Sequence, residues 1–159
     1  MSQNKNQLAA LKILKKAPQI TEIRFYYQTE NQYSREVKSK AIKDNIFNAV
    51  HITGLDRTQI IESLHDVNLI ICLSKTEAQP LSIIDGLSLG IPFLSTPVGC
   101  IPSLSGGITA KLNEMPRHIQ FLAENRNQLT KLSNEALSFF RAHHSKDVLR
   151  KKIGELLSL

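Results

Sequence analysis

The stretch Asn68-Leu69-Ile70-Ile71-Cys72-Leu73-Ser74 carries five consecutive apolar residues with no polar position between them. A strand with one wet face alternates polar and apolar side chains. An unbroken run therefore suits a parallel strand covered on both faces. A second run of this kind, IPFLSTP over 91–97, is stopped by Pro97, and the helix-like PLSIIDGLSL lies between the two. Strands of this type need helices above and below them, so the chain is expected to fold as α/β with a mainly parallel sheet.

The flanking sequence has the matching alternation. Residues 6–16 place Leu8, Leu11 and Leu14 on one helical side, and Pro18 ends that helix. Residues 20–28 are rich in β-branched and aromatic types and read as a strand. Residues 34–46 read as a basic amphipathic helix capped by Ser34, and 49–53 as a short strand closed by Gly54. Asp56 precedes a further helix, with Gln59 three residues on as a capping-box partner. Pro80 or Gln79 opens the helix that ends at Gly90. Residues 108–112 read as a last strand, and 116–142 and 145–158 as helices broken near His143-His144. The 159 residues make one domain, with no internal repeat or low-complexity linker.

Charge is unevenly distributed. Residues 1–60 carry ten basic against five acidic side chains, 61–110 one against four, and 111–159 nine against five. The net charge of +6 points toward an anionic partner, but the basic residues sit on helix-like flanks where solvated faces are the ordinary reading. With six Phe, three Tyr and no Trp, a base-stacking RNA surface is not expected, and nucleic acid is not the expected partner. Cys72 and Cys100 form no CxxC pair, so neither a disulfide framework nor a structural metal is expected and a cytoplasmic setting is favoured. The N-terminus lacks the apolar core of a signal peptide, and no run reaches the ~18 apolar residues of a membrane span.

In open parallel sheets, ligands bind beyond the carboxyl ends of the strands. That rule places Gly54-Leu55, Ser74 to Gln79 and Thr96 to Gly99 on one rim. Glu77 follows a buried strand, just before a helix whose first amides lack intrahelical partners and whose dipole is positive there. A diphosphate can dock on such amides. Asp85 lies eight residues after Glu77, so the pair can bracket an elongated ligand. Carboxylates accept hydrogen bonds from vicinal hydroxyls and so suit polyhydroxylated compounds. The plainer alternative is a helix-capping Glu77 and a solvated Asp85.

The segment LSKTEAQPLSIIDGLSLGIPFLSTPVGCIP resembles the donor-site signature of GT-B-fold glycosyltransferases, specifically the large retaining family 4 group (glycosyl transferases group 1). That signature sets a Glu, seven residues and a second Glu between a strand ending in Ser and a Gly-x-Pro segment. The preceding VHITGLDRTQIIESLHDVNLIICLS is similar to the family's strand, Gly, helix and strand, so the likeness spans 50–102 closely and the flanks loosely.

The resemblance implies a Rossmann-like three-layer α/β/α domain, the C-terminal donor-binding half of such an enzyme. Glu77 takes the place of the catalytic-site Glu that contacts the donor sugar hydroxyls, and Asp85 that of the Glu that holds the ribose. Ala78, Gln79, Pro80, Leu81 and Ser82 would form the loop and helix start that offer amides to the diphosphate. Gly54 and Leu55 would border the nucleobase, and Lys5 would match a phosphate-binding Lys. The donor would be a UDP-, GDP- or ADP-sugar, with no cofactor and no metal, since no Asp-x-Asp occurs. The acceptor, a glycan or lipid, would be held by an N-terminal domain with no counterpart here. The full enzyme would be cytoplasmic, with peripheral membrane association.

The chain departs from the family pattern in several places. Asp85 is one methylene shorter than Glu, Ala78-Gln79 replaces Gly-Phe, and Asn6 follows Lys5 where Gly is usual. The family's first strand and its glycine-rich loop are missing. The apolar stripe Val148, Leu149, Ile153, Leu156 and Leu157 either docks on this domain or, in helix 145–158, faces an N-terminal one. The alternative reading is a non-catalytic interaction module on the same fold, and a receiver-like domain has poor support because acidic residues do not cluster at strand ends. Gly86-Leu87-Ser88-Leu89-Gly90 fits G-x-S-x-G, but a nucleophile elbow needs a strand before the Ser and a helix after it. Here the order is reversed, so Ser88 reads as a packing residue. His51, His65 and His118 are given no role.

Overall fold

The computed structural model describes residues 1–157. Five strands form: β1 (Ile23–Tyr27), β2 (Ala49–Thr53), β3 (Ile70–Cys72), β4 (Phe93–Ser95) and β5 (Gly107–Thr109). The helices are α1 (Gln7–Leu14), α2 (Gln32–Lys43), α3 (Arg57–Ser63), α4 (Leu81–Ser88), α5 (Met115–Glu124), α6 (Arg126–His143) and α7 (Lys146–Leu157). All three ladders are parallel: β1 with β2, β3 with β4, and β4 with β5. The expected sheet is divided in two, a two-stranded sheet β1-β2 and a three-stranded sheet β3-β4-β5.

The unbroken apolar runs serve two cores because successive side chains point to opposite faces. On β4, Leu94 packs with Leu11, Val37, Phe25 and Met115 in one cluster, and its neighbour Phe93 packs with Ile83, Leu87, Ile101 and Ala136 in another. On β3, Ile71 joins the first cluster and Cys72 the second. Phe93, Leu94, Ile83, Leu87 and Val37 are all fully buried. Helices α1, α2 and α5 supply the first cluster, while α4 and α6 supply the second. This is the flanked parallel arrangement that the polar-free runs require.

Arg24 ties the two-stranded sheet to the approach of β3. Its guanidinium makes a forked pair with Asp66 (Nη1–Oδ1 2.6 Å, Nη2–Oδ2 2.7 Å) and donates to the Ser63 carbonyl at 3.0 Å. Such a fork fixes orientation as well as distance.

Several boundaries differ from the sequence expectation. Asn31, not Ser34, is the cap of α2. Ser34 is buried at the third helical position and completes a capping box with Asn31. The expected helix 116–142 is broken at Asn125, whose backbone is not helical, and becomes α5 and α6. Pro80 is the cap of α4 rather than its first residue, and the helix ends at Ser88. The Asp56–Gln59 capping box forms as expected. The break near His143-His144 is present, and α7 follows it. Residue 158 of the expected last helix lies outside the described residues. Of the stripe on α7, Val148 is half-buried, whereas Leu149, Ile153, Leu156 and Leu157 are exposed, so most of it is not docked on this domain.

His51, on β2, lies 5.2 Å ring to ring from Phe25. Its Nδ1 is 3.4 Å from the Tyr27 hydroxyl, and its Nε2 is buried without a hydrogen-bond partner among the described residues. Burial holds its pKa below the ordinary 6.5. Lys38 adds to this, and Glu30 opposes it. A histidine with a depressed folded pKa leaves the unfolded chain binding more protons as pH falls below 6.5, so stability drops on the acid side. The native chain is therefore expected to lose stability between neutral and mildly acid pH in urea titrations followed by circular dichroism, and His51→Leu is expected to remove part of that loss.

Candidate functional site

The rim at the carboxyl ends of β3 and β4 is built around Glu77. Its side chain is 9% exposed, and a carboxylate so placed needs partners. Lys5 pairs with Oε1, and the buried Ser74 hydroxyl donates to the same oxygen at 2.7 Å. Burial pushes the Glu77 pKa upward, but the hydrogen bonds from Lys5 and Ser74 together with the Lys5 charge outweigh it and hold the carboxyl below its ordinary 4.5. Glu77 therefore does not cap α4, and the cap position belongs to the buried Pro80.

The loop after β4 presses against the same residue. Thr96 Oγ1 donates to the Ser74 carbonyl at 2.7 Å. Gly99 has φ +55, and a Cβ there would stand 1.7 Å from the Glu77 carbonyl oxygen. No side chain fits at that distance, so the glycine is needed both for its left-handed backbone and for the close approach.

Asp85 sits on the second turn of α4, and its carboxylate is 17% exposed. It accepts from Arg57 Nη2 at 2.5 Å. Arg57 is the first residue of α3, directly after Gly54, Leu55 and Asp56, so this pair ties the loop following β2 to α4. Leu55 lines a shallow cavity of about 230 Å³ with Tyr26, Tyr27, Gln28, Ile52 and Ile60. Its carbonyl accepts from Gln28 Nε2 at 2.9 Å. Gly54 is exposed, with φ +73. Ala78, Gln79, Leu81 and Ser82 are exposed around the start of α4, which carries no side-chain cap.

Of the residues singled out by sequence, Lys5 and Glu77 are brought into direct contact, and Asp85 joins the Gly54-Leu55 loop through Arg57. Ser74, Thr96 and Gly99 stand on the rim expected from the strand ends, and the structure adds their contacts; Arg57 and Asn4 are the additions. Ser74 stands three residues from Glu77, a spacing that signals a local side-chain contact. The Arg57–Asp85 and Asn4–Thr76 contacts span 28 and 72 residues and leave no local signal. Ser88 bonds its own helix at the Asp85 carbonyl, 2.6 Å away. A Cβ on Gly86 would stand 2.7 Å from Ile70, which fits the packing reading of that motif. Among the described residues, no group of three or more His, Cys, Asp or Glu is placed to hold a metal ion, and no helix is long and apolar enough to cross a membrane.

A parallel α/β domain with a paired, largely buried glutamate side chain at its strand ends, beside a helix start, is a Rossmann-like domain with a candidate site at the carboxyl rim. The chain belongs to the family described as glycosyl transferases group 1, whose family model matches residues 2–132. No curated protein matches the sequence significantly. Among solved structures, the chain is similar to a sucrose-phosphate synthase from Thermosynechococcus elongatus, with TM-score 0.88, 14% identity, 99% of this chain covered and 42% of that one. It is also similar to HepE of Anabaena in complex with UDP-glucose, with TM-score 0.86, 16% identity, and 99% and 46% covered. The C-terminal domain of LpcC from Francisella tularensis superposes with TM-score 0.74 at 15% identity, covering 92% of this chain and 83% of that one. These likenesses give the fold, that of the C-terminal half of a GT-B glycosyltransferase. The chain spans less than half the length of the first two structures.

Two outcomes follow from this geometry. In Lys5→Met, burial is opposed by Ser74 without the Lys5 bond, so the Glu77 carboxyl should titrate at higher pH in carbon-detected NMR. The native pair contributes stability above pH 4.5 that fades as pH falls through the lower folded value, and the variant should lack this contribution. Gly99→Ala should lose about 1–3 kcal/mol in urea denaturation, because backbone must move to admit the methyl group.

Proposed function

We propose that this chain is the donor-binding domain of a retaining glycosyltransferase that moves a hexose from a nucleotide diphosphate sugar to a glycan or lipid acceptor. The observation that carries the reading is the Glu77 cluster: a carboxylate pinned by Lys5 and Ser74, three residues before the cap of α4. HepE, a similar structure, was solved with UDP-glucose and with UDP and glucose.

In this reading Glu77 accepts hydrogen bonds from the donor sugar hydroxyls and Asp85 from the ribose. The cavity beside Leu55 borders the nucleobase. The diphosphate lies on the amides of Leu81 and Ser82, near Gln79, and draws the Lys5 ammonium from Glu77. As the bond from the anomeric carbon to the diphosphate oxygen breaks, negative charge grows on the leaving diphosphate, where amides and ammonium stabilise it without a metal. The acceptor oxygen then bonds to the same carbon as its proton passes to the departing diphosphate oxygen. Acceptor recognition is assigned to parts of the enzyme outside this chain, which is inactive alone. The enzyme works without a cofactor in the cytoplasm, as a peripheral partner of the membrane face. The exposed stripe on α7 favours a second reading, a non-catalytic interaction module on the same fold.

Calorimetry with UDP, GDP and ADP, each free and as a sugar conjugate, tests the proposal. Binding of one conjugate is expected. Glu77→Ala should weaken the conjugate about 10- to 100-fold and the free diphosphate much less, as for a charged hydrogen-bond acceptor. Equal losses would remove the role of Glu77. No binding by any of the six, together with concentration-dependent mass in light scattering, would favour the interaction module.

A further inference from the structure

The three-residue helical turn Gln3–Lys5 lies against the loop between β3 and α4, and Asn4 makes the contact. Its side-chain amide treats Thr76 as a second strand would. Nδ2 donates to the Thr76 carbonyl at 3.0 Å, while Oδ1 accepts from the Thr76 amide at 3.2 Å and from its hydroxyl at 2.9 Å. The Asn4 carbonyl also accepts from the Lys75 amide at 2.8 Å. Four hydrogen bonds thus join residue 4 to residues 75 and 76, directly beside Glu77.

We propose that Asn4 is a positioning residue for Glu77, its side-chain amide fixing the Thr76 backbone so that the carboxylate meets Ser74 and Lys5. The side-chain chemistry is specific. Only an amide offers a donor and an acceptor side by side, which one residue's carbonyl and N–H require. Aspartate has the shape but no donor, and would set a charged oxygen against the Thr76 carbonyl. Alanine offers neither group. Asn4 also precedes Lys5, so one short turn sets both the backbone under Glu77 and the cation on it. The effect on ligand binding rests on the donor-site reading, whereas the bracing itself does not.

The test uses Asn4→Ala, Asn4→Asp, Thr76→Val and the double variant Asn4→Ala/Thr76→Val. In the free protein, carbon-detected NMR should show the Glu77 carboxyl titrating at higher pH in both Asn4 variants. The double variant should shift no further than Asn4→Ala alone, because the two residues act through one contact. Unchanged titration in Asn4→Ala, or shifts that simply add, overturns the proposal. If Asn4→Ala does not fold, Asn4→Asp and Thr76→Val are read in the same way. Calorimetry should then show UDP-glucose weakened about tenfold by Asn4→Ala, with UDP changed less, the scale of one or two neutral hydrogen bonds. If the native chain binds none of UDP, GDP, ADP and their sugar conjugates, the donor-site reading fails, and the Glu77 titration still decides whether Asn4 braces the loop.

Discussion

A carboxylate taken largely out of water must be met by donors, and most of the rim follows from that demand at Glu77. Its partners come from far apart in the chain. Lys5 arrives on the turn before α1, and Ser74 from the end of β3. The loop after β4 reaches Glu77 only because position 99 has no side chain. Each partner requires a particular element to be in place, so the pairing of β3 with β4 and the seating of α1 are preconditions of the site. The removal of any one donor leaves the others facing a charge they only partly satisfy, which is why such clusters respond cooperatively to substitution.

The two carboxylates carry their own cations within the chain. Lys5 lies on Glu77 and Arg57 on Asp85, so the rim is close to neutral where the residue types alone would make it acidic. Sugar hydroxyls can replace a cation as hydrogen-bond donors to a carboxylate, and the displaced cation is then available to an anion. On the proposed reading, binding of a nucleotide sugar at such a rim is an exchange of partners rather than a simple addition.

The architecture was legible because the runs at 68–74 and 91–97 admit few other solutions, and Asp56 with Gln59 marked its helix start plainly. Ser34 misled because serine is a good cap by type. Asn31 is equally good and stands at the position where the chain turns helical, and the capping box needs both residues. The break at Asn125 lies in the polar run Glu124 to Gln128, which reads equally well as the solvated turn of a continuous helix. At the site, Glu77, Asp85 and Lys5 were recoverable from local order and resemblance. Asn4 and Arg57 were not, since polar residues on turns and helix starts are common and their partners are set by topology.

That bend at Asn125 has a mechanical consequence. Met115 and Ile119 of α5 sit in the cluster with Leu94, and Ala136 of α6 sits in the cluster with Phe93. One continuous stretch of chain thus anchors in both faces of the sheet, like a hasp closed over two leaves. A rigid straight helix would have to choose one face. The hinge instead makes the melting of either core pull on the other, and it joins two hydrophobic clusters on opposite sides of short strands into one cooperative unit.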